Sequence, residues 1–122
     1  MEKKIIAQNN VLVAVVHSGE VIIDRAQSAL DLIADIVYND RCSRIAINKE
    51  AFAKEFFVLS TGLAGEILQK FANFSEKLAI IGDFSAYTSD ALKDFIYESN
   101  RGNAIFFVSD EKQAIEKLAN AQ

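Results

Sequence analysis

The chain has no proline, only five glycines and a single cysteine among 122 residues. Linkers and disordered tails are rich in proline and glycine, so their scarcity predicts a chain ordered nearly end to end. The lone Cys42 excludes an internal disulfide and a CxxC metal or redox site, which fits a reduced, intracellular setting. Apolar runs are short as well: none approaches the roughly 20 residues needed to span a bilayer. Met1-Glu2-Lys3-Lys4 leads into only a few apolar residues before Gln8-Asn9-Asn10, so no signal peptide is expected. Basic runs are missing too, Lys3-Lys4 being the densest. With a net charge of −4, this argues against a nucleic-acid surface and against docking on anionic lipid. The expectation is a soluble cytoplasmic protein with no nucleic-acid and no membrane partner.

The familiar phosphate-binding motifs are absent. No GxGxxG, and no GxxxxGK followed by Ser or Thr, comes after any strand. A phosphate-receiver domain needs an acidic cluster after its first strand and an Asp after its third. Those positions read Gln8-Asn9 or His17-Ser18, and Asn48-Lys49. His17 has no Cys or second His to share a metal, and Cys42 has no nearby His to activate it. No cofactor is therefore expected.

What is present is a regular alternation of short apolar strands and amphipathic helices. Lys3 to Gln8 and Val11 to Val16 read as strands joined by Asn9-Asn10, a turn pair that tolerates left-handed backbone. Val21 to Ile23 is a short extended bridge. Asp24, with Gln27 three residues on, has the spacing of a capping box. Ala26, Ala29, Leu30, Ile33, Ala34 and Val37 then form one helical face, stopped by Asn39-Asp40. Arg44 to Ile47 is a strand. Glu50 to Leu59 reads as a helical turn or an irregular wrap that buries three phenylalanines. A helix follows from about Thr61 to Phe74, with Leu63, Ile67, Leu68, Phe71 and Phe74 on one side. Leu78 to Ile81 is the next strand. A helix capped by Thr88 or Ser89 ends at Asn100-Arg101-Gly102-Asn103. Ile105 to Val108 is the last strand, and Asp110 with Gln113 opens the last helix. The order β-β-α-β-α-β-α-β-α predicts a single α/β domain over residues 1–122. Its sheet should be mainly parallel, with an antiparallel N-terminal edge strand.

Two groups of residues stand out as candidate sites. Ser60-Thr61-Gly62 opens a helix, and either hydroxyl could serve as its N-cap. Neither has an acid at the capping-box position, and the turn TGLAG carries no carboxylate. The positive end of the helix is thus open to an anion, including a phosphate placed on Ser60 or Thr61. The second group is Asn48, Lys49, Asp83, Ser85 and Tyr87. All lie at the carboxyl ends of strands, where open α/β sheets bind ligands.

The run STGLAGEIL after FFVL resembles the signature of STAS domains, the anti-sigma factor antagonist fold, and the element order matches that fold across nearly the whole chain. The resemblance implies a regulatory hydroxyl at the helix start, with Thr61 at the phosphoacceptor position and Ser60 beside it. The Asp that precedes the hydroxyl pair in that pattern is Leu59 here, and the stretch from Lys49 to Phe57 is atypical. A closer resemblance is to domain of unknown function 4180, a family of small bacterial proteins. It is carried by QSALDLIA, FF-x-LSTGLAGEILQKF, KLAI-x-GDFS and LKDFIYESN-x-GN. That family implies a bacterial cytoplasmic origin and no established activity.

Three functional readings follow. One is a non-enzymatic, STAS-like interaction module with an unidentified protein partner, switched by phosphorylation at Ser60 or Thr61. Another is a binder of a small anionic ligand at the strand ends; no nucleophile–base pair is recognisable there, so catalysis is not expected. The third is a homodimer formed through a free sheet edge or the Phe-rich segment.

Overall fold

A computed structural model describes residues 1–122. Five strands form one sheet in the order β1-β2-β3-β4-β5. They are β1 (Glu2–Gln8), β2 (Val11–His17), β3 (Arg44–Asn48), β4 (Lys77–Ile81) and β5 (Ile105–Val108). The four α-helices are α1 (Ala26–Asp40), α2 (Leu63–Asn73), α3 (Asp90–Asn100) and α4 (Glu111–Asn120). β1 pairs with β2 antiparallel, and the other neighbours are parallel. Asn9 and Asn10 both have positive φ, 54° and 65°. Two left-handed residues in a row give the turn whose twist matches a hairpin, so Gln8 faces Val11 in register.

Strand order follows chain order, so each right-handed crossover steps the same way and puts its helix on the same face. The side chains show this. Ala14, Val16, Ile45, Ile47, Leu78, Ile80 and Phe107 share a core with the buried faces of α1, α2 and α3. The alternate positions Val13, Val15, Ala46, Ala79, Phe106 and Val108 pack against Ala114 and Leu118 of α4. The central strands are therefore buried on both faces, which explains their continuous apolar character.

Several local expectations need correction. Asp24 does not cap α1; the half-in residue is Arg25. Ser28 Oγ reaches back to accept from the amides of Asp24 and Arg25, at 3.0 and 3.2 Å, which moves the helix start one residue later. The same helix runs through Asp40 and ends on Arg41 in the left-handed region. α2 begins at Leu63, not Thr61, with Gly62 as its half-in residue. Phe74 lies beyond that helix and is exposed, not on its apolar side. Ser89 and Asp110 cap α3 and α4 as the sequence indicates.

The two sheet edges differ. The outer edge of β1 is free. The outer edge of β5 is covered at Phe107 by Asn100, whose Oδ1 accepts from the Phe107 amide at 2.7 Å while its Nδ2 donates to the Phe107 carbonyl at 3.2 Å. One carboxamide thus takes up both backbone groups of Phe107 that would otherwise be open to another strand. No helix is long and apolar enough to cross a membrane.

Candidate functional site

The segment between β3 and α2 shapes the surface at the carboxyl ends of the strands. It consists of three 3₁₀ turns, Lys49–Ala51, Lys54–Phe57 and Leu59–Thr61. Phe52, Phe56 and Phe57 are buried, as the irregular-wrap reading requires. Phe56 packs against Phe52 and Phe57 with ring centroids 4.7 and 4.9 Å apart. Phe57 stacks on Tyr87, which in turn stacks on Phe84. Ring contacts then run from Phe84 to Phe107 on β5. Phe52, Phe56 and Phe57 are thus largely committed to the interior, while Phe84 and Tyr87 are half-buried.

Beside this cluster lies a groove of about 520 Å³, lined chiefly by apolar groups of Val21, Phe52, Phe57, Val58 and Tyr87. Lys49, Glu50 and Lys54 supply its polar atoms. Val21 and Val58 are each 52% exposed and add apolar surface to this groove.

Lys49 is held tightly. Its ammonium donates to the Asp83 carbonyl at 2.6 Å and lies over the rings of Phe84 and Tyr87. Its stem crosses Gly82 so closely that a Cβ there would sit 2.6 Å from Lys49 Cδ. Burial, reinforced by Glu50, pushes the Tyr87 hydroxyl above its ordinary pKa. The Asp83 carboxylate accepts from the Ser85 amide at 2.9 Å; the Ser85 hydroxyl and amide hold its pKa below the usual range.

Asn48 is 7% exposed and fully engaged. Its Oδ1 accepts from the Ser18 amide and its Nδ2 donates to the Ser18 carbonyl, at 2.9 and 2.7 Å. It extends the β2–β3 pairing by one side chain and fixes the Ser18–Glu20 turn.

Ser60 and Thr61 prove unlike. Ser60 is exposed. Thr61 Oγ1 sits within bonding distance of the Val58 and Glu55 carbonyls, 2.8 and 2.9 Å, and accepts from the Leu63 amide at 3.2 Å. It therefore latches the 3₁₀ turns to α2. Gly62 has φ 80°, a left-handed conformation that favours glycine. The acid-free first turn is also revised: because α2 starts at Leu63, Glu66 brings a carboxylate into it.

Of the residues the sequence nominates, only Lys49 and Tyr87 line the groove. Asp83 lies in a separate shallow depression with Gly82 and Phe84. Ser60, Thr61 and Gly62 occupy the segment between Val58, which lines this groove, and Ala64, which lines a second one. Sequence reasoning missed Val21 and Val58, and it missed Glu76 in the second groove. Val58 could have been found as the one aliphatic residue between the buried Phe57 and the 3₁₀ turn carrying Ser60. Glu76 reads as an ordinary surface charge.

Sheet, helices and groove together define a small mixed α/β domain with an apolar recess at the ends of its strands. The chain belongs to the family described as Domain of unknown function (DUF4180), whose model matches residues 8–118. No curated protein and no solved structure matches it.

Proposed function

We propose that this chain is a non-enzymatic, STAS-like interaction module that docks an apolar segment of a partner protein at the carboxyl ends of its strands. The observation that carries this reading is the groove lined by Val21, Phe57, Val58 and Tyr87, concave and almost wholly apolar. Exposed apolar surface with a polar rim marks interaction sites. Ser60, two residues from Val58, is the free hydroxyl of the pair. A phosphate on it adds close to two negative charges at the rim and would weaken docking of an apolar segment. Thr61, being latched, is the poorer acceptor. The small-anion reading has less support, because the Lys49 ammonium and the Asn48 carboxamide are already engaged. The free β1 edge leaves a route to a homodimer, although Lys3 and Lys4 place charges along it.

A photo-cross-linking side chain at Val58, introduced into the chain in its source cell, tests this. A discrete adduct, lost when Val21 is also changed to Asp, is expected. Absence of any adduct, or an adduct that survives Val21→Asp, would overturn it. Intact-mass analysis with no modification at Ser60 would remove the switch and leave the docking claim standing.

A further inference from the structure

We propose that a second groove, between α2 and α3, is a binding site for a small organic amine, an alkyl or aryl ammonium whose cation pairs with Glu76. This site is separate from the docking groove above, and neither proposal depends on the other. The recess has a volume of about 380 Å³, within the range of small-molecule sites. Ala64, Leu68, Ala72 and Phe95 give it apolar walls, and Glu76 also lines it.

Glu76 is out of place there. The chain reversal at the end of α2 shows why. The Ser75 amide donates to the Ala72 carbonyl and the Glu76 amide to the Phe71 carbonyl, at 3.0 and 2.8 Å. Ser75 is left-handed, φ 54°. This is a Schellman stop, whose last residue ordinarily makes an apolar contact back to the helix. Here that slot holds a carboxylate. It is 3% exposed, and its Oε2 has no hydrogen-bond partner. An unpaired carboxylate in such a position costs several kcal/mol, and a cation delivered by a ligand removes that cost. A neutral guest can offer a hydrogen bond but no balancing charge. The terminal torsion of Glu is soft, so either oxygen can turn toward the groove.

The charged groups that bear on Glu76 do not satisfy it. Arg44 on β3 is turned toward the end of α4, donating to the carbonyls of Leu118 and Ala121 at 2.7 and 3.1 Å. Lys77 donates to the Asn103 carbonyl. The Cys42 thiol is pushed up by burial, with Glu76 and Asp40 adding to the effect, so it stays neutral near pH 7. The polar groove residues of α2 and α3, Gln69 and Ser99, do not titrate. Burial raises the Glu76 pKa to about 7, with Arg44 opposing. Its ionised form, and with it amine binding, should therefore be lost as the pH falls through that value.

The test titrates the full, isotope-labelled chain with phenethylamine and hexylamine, and with phenethyl alcohol and hexanol as neutral matches. The amines should shift the amide signals of Gly65, Ala72 and Ala104. The alcohols should bind about tenfold more weakly, the loss of one charge-assisted contact. Glu76→Gln should abolish the difference. In the unchanged chain, amine affinity should fall about tenfold from pH 8 to pH 6. Alcohols binding as well as amines, a flat pH profile, retention of amine preference in Glu76→Gln, or no shift with any amine at millimolar concentration would each overturn the proposal.

Discussion

Replacing Glu76 by Gln should stabilise the protein more as the pH rises. In the unfolded chain this carboxyl titrates near its ordinary 4.5; in the folded protein it titrates near 7, because burial disfavours its charge more than Arg44 favours it. Between those values the folded state holds more protons than the unfolded state. Stability must then fall as pH rises across the interval. At about 1.36 kcal/mol per tenfold change in proton affinity, the interval from 4.5 to about 7 is worth about 3 kcal/mol. Gln is isosteric and does not titrate, so its stability lacks this slope. It carries its own constant cost, since a buried amide without partners loses about 1–3 kcal/mol. The informative quantity is thus the change in the difference between the two proteins, not its level at one pH. Urea unfolding at pH 4.5, 6, 7 and 8 measures it, and all other titrating groups cancel. The difference should move toward Gln by about 3 kcal/mol over that range, with most of the change between pH 5 and 7. Parallel curves would mean that Glu76 is solvated or paired in solution, and would remove the basis for reading its groove as a cation site.

Four further outcomes are expected. Gly82→Ala forces a Cβ onto the Lys49 stem; it should cost about 1–3 kcal/mol in thermal unfolding and release the Lys49 ammonium from Asp83. Thr61→Val should cost about 1 kcal/mol by breaking the latch, whereas Ser60→Ala should be silent within about 0.5 kcal/mol; equal effects would contradict the division of roles. Phe56→Ala, at the centre of the ring cluster, should cost about 3–5 kcal/mol by urea unfolding. Asn100→Ala uncovers the β5 edge and should raise self-association in sedimentation velocity; a strictly unchanged sedimentation profile would show that the edge is protected by something other than this side chain.

Much of the fold was legible because its elements follow simple periods. β3, β4 and β5 are short apolar runs bounded by polar residues, and each lies within one residue of its expected limits. The Asn9-Asn10 hairpin and the Asp110 cap are set by local chemistry, which a sequence displays directly. Helix starts were less legible. At α1 the side chain of Ser28 and at α2 the conformation of Gly62 decide the boundary, and both depend on how the preceding chain arrives. The site was harder still. Their place at a strand end marks Asn48 and Lys49 as ligand contacts, yet they hold Ser18 and Asp83. A strand end must satisfy its own loops first, and the spacing of residues does not reveal how many donors remain. Glu76 is illegible because its burial arises from tertiary packing, which no local spacing displays.

The segment from Val58 to Ala64 is where these strands of reasoning meet. Val58 lines the groove beside Tyr87, while Leu59 and Ala64 both line the α2–α3 groove. Between them, Thr61 ties the backbone of Glu55 and Val58 to the first amide of α2, and Gly62 makes the turn. A shift of α2 that opened or closed the second groove would act on this latch directly. Modification of Ser60 and occupancy of either groove would then act on a single short piece of backbone. On the two proposals above, the hydroxyl pair matters less as an anion seat at a helix start than as the stretch beside both recesses, with Thr61 bonded to the turns and Ser60 left without a side-chain partner.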